Sequence, residues 1–204
     1  MTKPAYLVVC IDVHDEAAMQ PYGAGAMPIL DAYEATVLSA TNRIEIDHGT
    51  WPRARAVVIE FPSLARAQEF WASPEYRPLK VMREAASEAD IVLVEGILEN
   101  RIAATDGIPH FLLGASTVSD PGWVEEYMQK VPPVSAKFGV QALASGGEFE
   151  VLDGTWSHSS MVLLGFPSEQ VFRDFWYGPE YRPMKELREA NSSGDHISFP
   201  GVVE

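Results

Sequence analysis

The feature that most constrains this chain is an internal repeat. The string PEYRP occurs at residues 74–78 and again at 179–183. Other strings return at the same offset of 105 residues: GTW at 49–51 and 154–156, and REA at 83–85 and 188–190. Because the two copies align without an insertion or deletion, we predict two copies of one folding unit of about 100 residues, an ordinary domain size.

The boundaries of the units follow from the segment between them. The string LENRIAATDGIP (98–109) is polar and contains Gly107 and Pro109, which is typical of a linker. We therefore predict a first unit at residues 1–97, a linker at 98–109 and a second unit at 110–204.

Each unit is predicted to have the element order β-α-β-β-α-β, which is the ferredoxin-like motif of the α+β class. The apolar, β-branched string YLVVCIDV (6–13) predicts the first strand, and Asp15 can cap a helix that Pro21 should bend or end. Thr41 and Asn42 interrupt the second strand and predict a bulge or bend. The string RAVVIEF (55–61) should then pair with it as an antiparallel hairpin.

The repeated pentapeptide has a structural explanation of its own. Ser73 can cap a helical turn that begins at Pro74, and Pro78 should break it, because proline cannot donate a backbone hydrogen bond. A second helix would follow Pro78. Arg77 and its copy Arg182 would then point away from the helix and be free to bind a carboxylate or an anionic ligand. Capping chemistry alone is the alternative explanation.

The string SPEYRPLKVMREAASEADIVLVEG (73–96) resembles the C-terminal signature of the domain-of-unknown-function 1330 family. The preceding VVIEFPS strand, the ID that ends the first strand and the tryptophan after the hairpin fit as well, and the resemblance covers residues 5–97 and 110–202. It implies a dimeric α/β barrel, in which two ferredoxin-like sheets close one barrel and a single chain supplies both halves as a pseudo-dimer. That superfamily includes cofactor-free monooxygenases, lactone isomerases, polyketide cyclases and haem enzymes, so the reaction stays open.

Charge and composition limit the partners. A net charge of −14 repels phosphate backbones and anionic lipid surfaces, so we expect no nucleic acid and no membrane partner. The chain has one cysteine, Cys10, and begins without the layout of a signal peptide, which together predict a cytoplasmic protein. The expected partner is a small-molecule substrate, and association into a homodimer of pseudo-dimers is left open.

The two copies differ in their ionisable residues, which suggests where a site lies. Four ionisable residues of the first unit become non-ionisable in the second: Asp12 is replaced by Thr117, His14 by Ser119, Glu60 by Gly165 and Glu95 by Pro200. The first unit is therefore the better candidate for an active site.

We predict that Asp12, His14 and Glu60 form an acid–base site between sheet and helices. Asp12 and His14 are two residues apart and share one side of the first strand, and the third strand, which carries Glu60, should be its neighbour. Tyr22, Trp51, Tyr76 and Arg77 are the candidate substrate-binding residues. In the alternative, Asp12, His14 and Asp15 are only the polar end of a strand and a helix cap.

No cofactor and no metal site is expected. The five histidines show neither an HExxH motif nor a close pair, and haem has no support beyond the analogy of fold. The function predicted is that of a cofactor-independent isomerase, cyclase or dehydratase, of the kind used in secondary metabolism, acting on a small apolar or aromatic molecule. The alternatives are a cofactor-free monooxygenase of the same fold and a non-catalytic binding or structural module.

Overall fold

The computed structural model describes residues 2–99, 101 and 108–202. Parts of the predicted linker, residue 100 and residues 102–107, therefore lie outside the described residues. The ten strands are β1 Ala5–Val13, β2 Thr36–Thr41, β3 Glu45–His48, β4 Arg55–Phe61, β5 Ser87–Glu95, β6 His110–Val118, β7 Gln141–Gly146, β8 Phe149–Asp153, β9 Ser160–Phe166 and β10 Ser192–Pro200. The six α-helices are α1 Glu16–Ala32, α2 Leu64–Ala72, α3 Arg77–Ala86, α4 Val124–Lys137, α5 Glu169–Trp176 and α6 Arg182–Asn191. No helix in this part of the chain is both long and apolar enough to cross a membrane.

The strands form two antiparallel sheets of five strands each, in the orders β2-β4-β1-β5-β8 and β3-β10-β6-β9-β7. β1 lies between β4 and β5, and β6 lies between β9 and β10, which is the ferredoxin-like order in each unit. The predicted α+β fold is therefore confirmed, with two ferredoxin-like units in one chain.

Each unit extends one short strand into the sheet of the other. β3 belongs to the first unit but pairs with β10, and β8 belongs to the second unit but pairs with β5. The predicted bend after β2 is the point at which the chain leaves one sheet for the other. Hydrogen bonds also join the sheets directly, from Ile97 N–H to the Leu143 carbonyl oxygen (2.9 Å) and from Val202 N–H to the Leu38 carbonyl oxygen (2.8 Å). The two sheets thus close one barrel within the chain.

Strand alternation divides the apolar side chains between the barrel interior and the two helix layers. Tyr6, Val8 and Cys10 of β1 pack inside the barrel with Phe111 and Leu113 of β6. The alternate residues of β1, which include Leu7, Val9 and Ile11, pack against the helices of the first unit. The barrel core is therefore shared by both units, whereas each helix layer belongs mainly to one.

Two local predictions are corrected. The break in the PEYRP region lies at Ser73, which is extended and accepts a hydrogen bond from Tyr76 N–H (3.2 Å), while Pro78 sits in the first turn of α3 without ending it. Proline is tolerated there because the first N–H groups of a helix have no intrahelical partner. Helix α1 likewise continues through Pro21 and Pro28 to Ala32.

Candidate functional site

A cavity of about 470 Å³ lies in the first unit, between the outer face of its sheet and helices α1, α2 and α3. Its walls are mostly apolar, with Leu7, Val9 and Ile11 of β1 on the sheet side and Phe70 and Trp71 of α2 on the helix side. The volume is in the range that holds a small organic molecule, and the lining suits an apolar or aromatic one.

The main polar group in this cavity is formed by Tyr22, Tyr76 and Arg83. The Tyr22 and Tyr76 hydroxyl oxygens are 3.3 Å apart, and both side chains line the cavity. Burial, followed by the neighbouring Tyr22, raises the pKa of Tyr76 above its usual range, although Arg83 acts to lower it. Tyr76 is therefore a protonated hydroxyl at neutral pH and can donate a hydrogen bond.

Arg83 is the buried cation of the group, with only 2% of its surface exposed. Its Nη2 donates to Asp153 Oδ2 at 2.5 Å, and Asp153 lies on β8, the strand that the second unit contributes. Burial acts to lower the pKa of Arg83, but the hydrogen bond to Asp153 and the nearby Tyr76 outweigh it and the pKa is raised. Its Nε is buried and has no hydrogen-bond partner among the described residues, which is unusual for so strong a donor.

The second unit repeats the polar group but has a histidine beside it. The Tyr127 and Tyr181 hydroxyl oxygens are 2.8 Å apart, and Arg188 Nη1 donates to the Tyr181 hydroxyl at 3.0 Å. Here His196 takes the place of Ile91, and its ring packs 5.2 Å from that of Trp176. The tyrosine of PEYRP and the arginine of REA are thus repeated because each unit buries them together.

The predicted convergence of Asp12, His14 and Glu60 is wrong. Glu60 is opposite Tyr6 at one end of β1, and Asp12 lies six residues along that strand, about 20 Å away. The reason is that β1 and β4 are antiparallel, so residues near their C-terminal ends lie at opposite ends of the pair. Tyr6 and Glu60 also face the barrel interior, because they share the parity of Val8 and Cys10 rather than that of the cavity wall.

Each of these three residues has contacts of its own. Asp12 Oδ1 accepts a hydrogen bond from Ala54 N–H at 2.7 Å. His14 is exposed, with Nε2 3.2 Å from the Ala85 carbonyl oxygen. Glu60 is fully buried, where Tyr6 donates to it at 3.4 Å and Arg101 Nε lies at the same distance. Their catalytic roles stay a prediction, and the cavity supports a different set of residues.

The predicted substrate-binding residues are divided between three places. Tyr22 and Tyr76 line the cavity, as described above. Trp51 lies at one end of the barrel, with its ring 6.0 Å from that of Trp156, and Arg77 is exposed on α3. Sequence reasoning missed Arg83, although its repetition in REA at an offset of 105 residues was a usable signal.

The fold and the cavity define a pseudo-dimeric α/β-barrel protein with a ligand-sized chamber in its first half. The model of the family called domain of unknown function (DUF1330) matches residues 4–97 and again 109–202. The chain belongs to this family, as a tandem-repeat member. No curated protein sequence matches it significantly.

Several solved structures share the fold at low identity. An anthrone oxidase-like protein is 14% identical over 99% of this chain and 92% of its own, with a TM-score of 0.56. A protein from Lactobacillus acidophilus, described as a candidate monooxygenase, is 12% identical over 99% of both chains, with a TM-score of 0.53. A haem-binding protein from Thermus thermophilus is 8% identical over 98% of this chain and 92% of its own, also with a TM-score of 0.53.

The residues of the cavity do not fit haem. Haem iron is held by an axial histidine, cysteine, methionine or tyrosine. The described residues that line the cavity include no histidine or cysteine. Met19 and Met27 line the cavity, but methionine ligates haem iron together with a histidine, and the two tyrosine hydroxyls are bonded to each other. No chemical step is therefore derived through a haem group.

Proposed function

We propose that this protein is a small-molecule enzyme whose substrate is an apolar or aromatic compound bound in the first-unit cavity. The observation that carries the proposal is the group of Tyr22, Tyr76 and Arg83 in the wall of a mostly apolar chamber. The apolar walls favour a carbon skeleton, and the polar group favours one oxygen atom on it.

The polar group is suited to an oxygen that gains negative charge during a reaction. Tyr76 is a protonated donor, and the Arg83 Nε lacks a hydrogen-bond partner in the part of the chain that the structure describes. Two donors in a buried, low-dielectric site stabilise an enolate or phenolate oxygen more than water does. The substrate class that fits is therefore a ketone or phenol attached to an aromatic or aliphatic skeleton.

The proposed isomerase, cyclase or dehydratase reaction depends on this stabilisation of negative charge and does not use a carboxylate or imidazole base from the protein. The described residues that line the cavity include no aspartate, glutamate or histidine. A substrate whose C–H bond is acidified by a polarised carbonyl can lose that proton to water or to a neighbouring group of its own. The enolate that results is the shared intermediate of these three reaction types.

A cofactor-free monooxygenase is the second candidate, because the same enolate can react directly with oxygen. The support is the fold shared with an anthrone oxidase-like protein and with a candidate monooxygenase. The two candidates differ in whether oxygen is consumed, which a single experiment can measure.

The test uses methyl 2-naphthyl ketone as a probe. We expect it to bind the wild-type protein in calorimetric titration, and we expect its methyl protons to exchange with deuterated water faster than in buffer when oxygen is excluded. Arg83→Met should abolish the acceleration, whereas Arg188→Met should not. Oxygen consumption with the probe in air would favour the monooxygenase. Binding without exchange or oxygen consumption would favour a binding module, and no binding would contradict the proposal.

A further inference from the structure

The electrical charge of the cavity is set by the ion pairs of two arginines. Arg83 and Arg55 are the charged residues among those described in the cavity lining. Arg83 is paired with Asp153 at 2.5 Å and, at the longer distance of 3.6 Å, with its neighbour Glu84. Arg55 is paired with Glu16. Each cation that faces the cavity is therefore neutralised by a carboxylate behind it.

The pair at Arg83 is the more important one, because it is buried. The Arg83 side chain is 2% exposed and that of Asp153 is 29% exposed, whereas the corresponding values are 33% and 65% for Arg55 and Glu16. Water and salt screen the exposed pair, and the buried pair is screened much less. A ligand at the Arg83 Nε therefore interacts with the field of both Arg83 and Asp153.

This charge balance is specific to the first unit. The residue that corresponds to Asp153 in the repeat is His48, which lies 3.3 Å from Glu189. Arg188, the counterpart of Arg83, lies 3.4 Å from its neighbour Glu189, just as Arg83 lies 3.6 Å from Glu84, so the units differ in the residue that the exchanged strand supplies. The carboxylate nearest to Arg83 is thus supplied by the strand exchange of the second unit onto the first.

We propose that the ligand of the first-unit cavity is electrically neutral, and that Asp153 of the second unit sets this preference. The inference rests on the proposed function and narrows its substrate class to neutral ketones and phenols. A permanent carboxylate would bring a second negative charge close to Asp153 and would lose its water shell on entering an apolar chamber. A neutral carbonyl still accepts hydrogen bonds from Tyr76 and Arg83, and the net charge of −14 adds to the bias against anions.

Asp153 acts through Arg83, so it is a positioning residue, and its test must measure more than stability. The test compares the affinity for methyl 2-naphthyl ketone with that for 2-naphthoate, which has a similar skeleton and one negative charge. We expect the wild type to prefer the ketone. Asp153→Asn keeps the size and a hydrogen-bond acceptor but removes the charge, so it should shift the affinity ratio towards 2-naphthoate by about tenfold or more.

The matched control is His48→Asn, which changes the corresponding position of the other unit and should leave the ratio unchanged. Glu16→Gln is a second test, expected to shift the ratio in the same direction by a smaller factor, and it applies even if Asp153→Asn does not fold. A wild type that prefers 2-naphthoate would overturn the inference, as would an unchanged ratio in a folded Asp153→Asn. Failure of the wild type to bind either probe would instead overturn the proposed function on which the inference rests.

Discussion

At the scale of single residues, the two tyrosine pairs allow one position to be compared with its own copy. Tyr76 borders an open cavity, whereas Tyr181 lies in a unit in which His196 takes the place of the cavity-lining Ile91. We expect Tyr76→Phe to weaken binding of methyl 2-naphthyl ketone by about three- to tenfold, the effect of one lost hydrogen bond. Tyr181→Phe is the control and should leave affinity unchanged in the same calorimetric titration. Equal losses from both variants would mean that both units bind the ligand.

His196 predicts a pH dependence of stability. Burial, followed by the charge of Arg188, lowers the pKa of His196 to about 2. Below the unfolded pKa of about 6.5 the unfolded chain binds a proton that the folded chain does not, so stability falls as the pH falls from that value.

The corresponding variant is His196→Ile, because the first unit has Ile91 at this position. Between pH 7 and pH 4.5 the wild type should lose about 2–3 kcal/mol more unfolding free energy than this variant. Denaturant unfolding at the two pH values measures the difference. The same pH dependence in both proteins would contradict it.

Part of the candidate site could be predicted at this scale. Tyr22 and Tyr76 recur in both copies and do line the cavity. Alternation along β1 placed Asp12 and His14 on one side of the strand, but it could not say that this side faces the barrel rather than the helices. Arg83 was missed because a charged residue on a polar helix face is usually solvated, and its burial depends on Asp153 from the other unit.

At the scale of elements, the repeated GTW turn is fixed by contacts across the barrel. Gly154 has a φ of +71°, and a Cβ there would lie 2.2 Å from the Ala89 carbonyl oxygen. The Thr155 N–H that follows donates to Asp90 Oδ1 at 2.9 Å. The turn of the second unit is therefore packed tightly on β5 of the first.

We expect Gly154→Ala to lower the free energy of unfolding by about 1–3 kcal/mol, because of the backbone conformation and the clash. Gly23→Ala is the control with the opposite sign. Gly23 lies in α1, and no atom of the described residues comes within 4 Å of an added Cβ, so the change should stabilise the protein, by about 0.5–1 kcal/mol. Denaturant unfolding measures both changes in free energy. An unchanged free energy of unfolding in Gly154→Ala would contradict the prediction, because it would show that the turn accommodates the added Cβ.

The order of the elements could be predicted from the sequence, but the exchange of β3 and β8 could not. The interruption at Thr41 and Asn42 predicted a bend, which the structure has. β3 pairs with β10 and β8 pairs with β5, and both partners are far away in sequence. The periodicity of a strand does not indicate which sheet edge it will pair with.

At the scale of the whole molecule, the exchanged strands and the shared barrel core should make the two units unfold together. Tyr6 and Val8 of one unit pack in the same core as Phe111 and Leu113 of the other. We expect a single transition in calorimetry, with equal calorimetric and van't Hoff enthalpies. The slowest-exchanging backbone amides should lie in both β1 and β6 and should exchange at similar rates. Two separate transitions would contradict the shared barrel core.

The central claim is that the molecule has one ligand site, in the cavity of its first unit, although its fold is repeated. The most direct measurement is a crystal structure of the full chain with methyl 2-naphthyl ketone. The account predicts one molecule per chain between the first sheet and helices α1–α3, with its oxygen within hydrogen-bond distance of the Tyr76 hydroxyl or the Arg83 Nε. Equal occupancy in both units, or a ligand bound only at the barrel end beside Trp51, would contradict it.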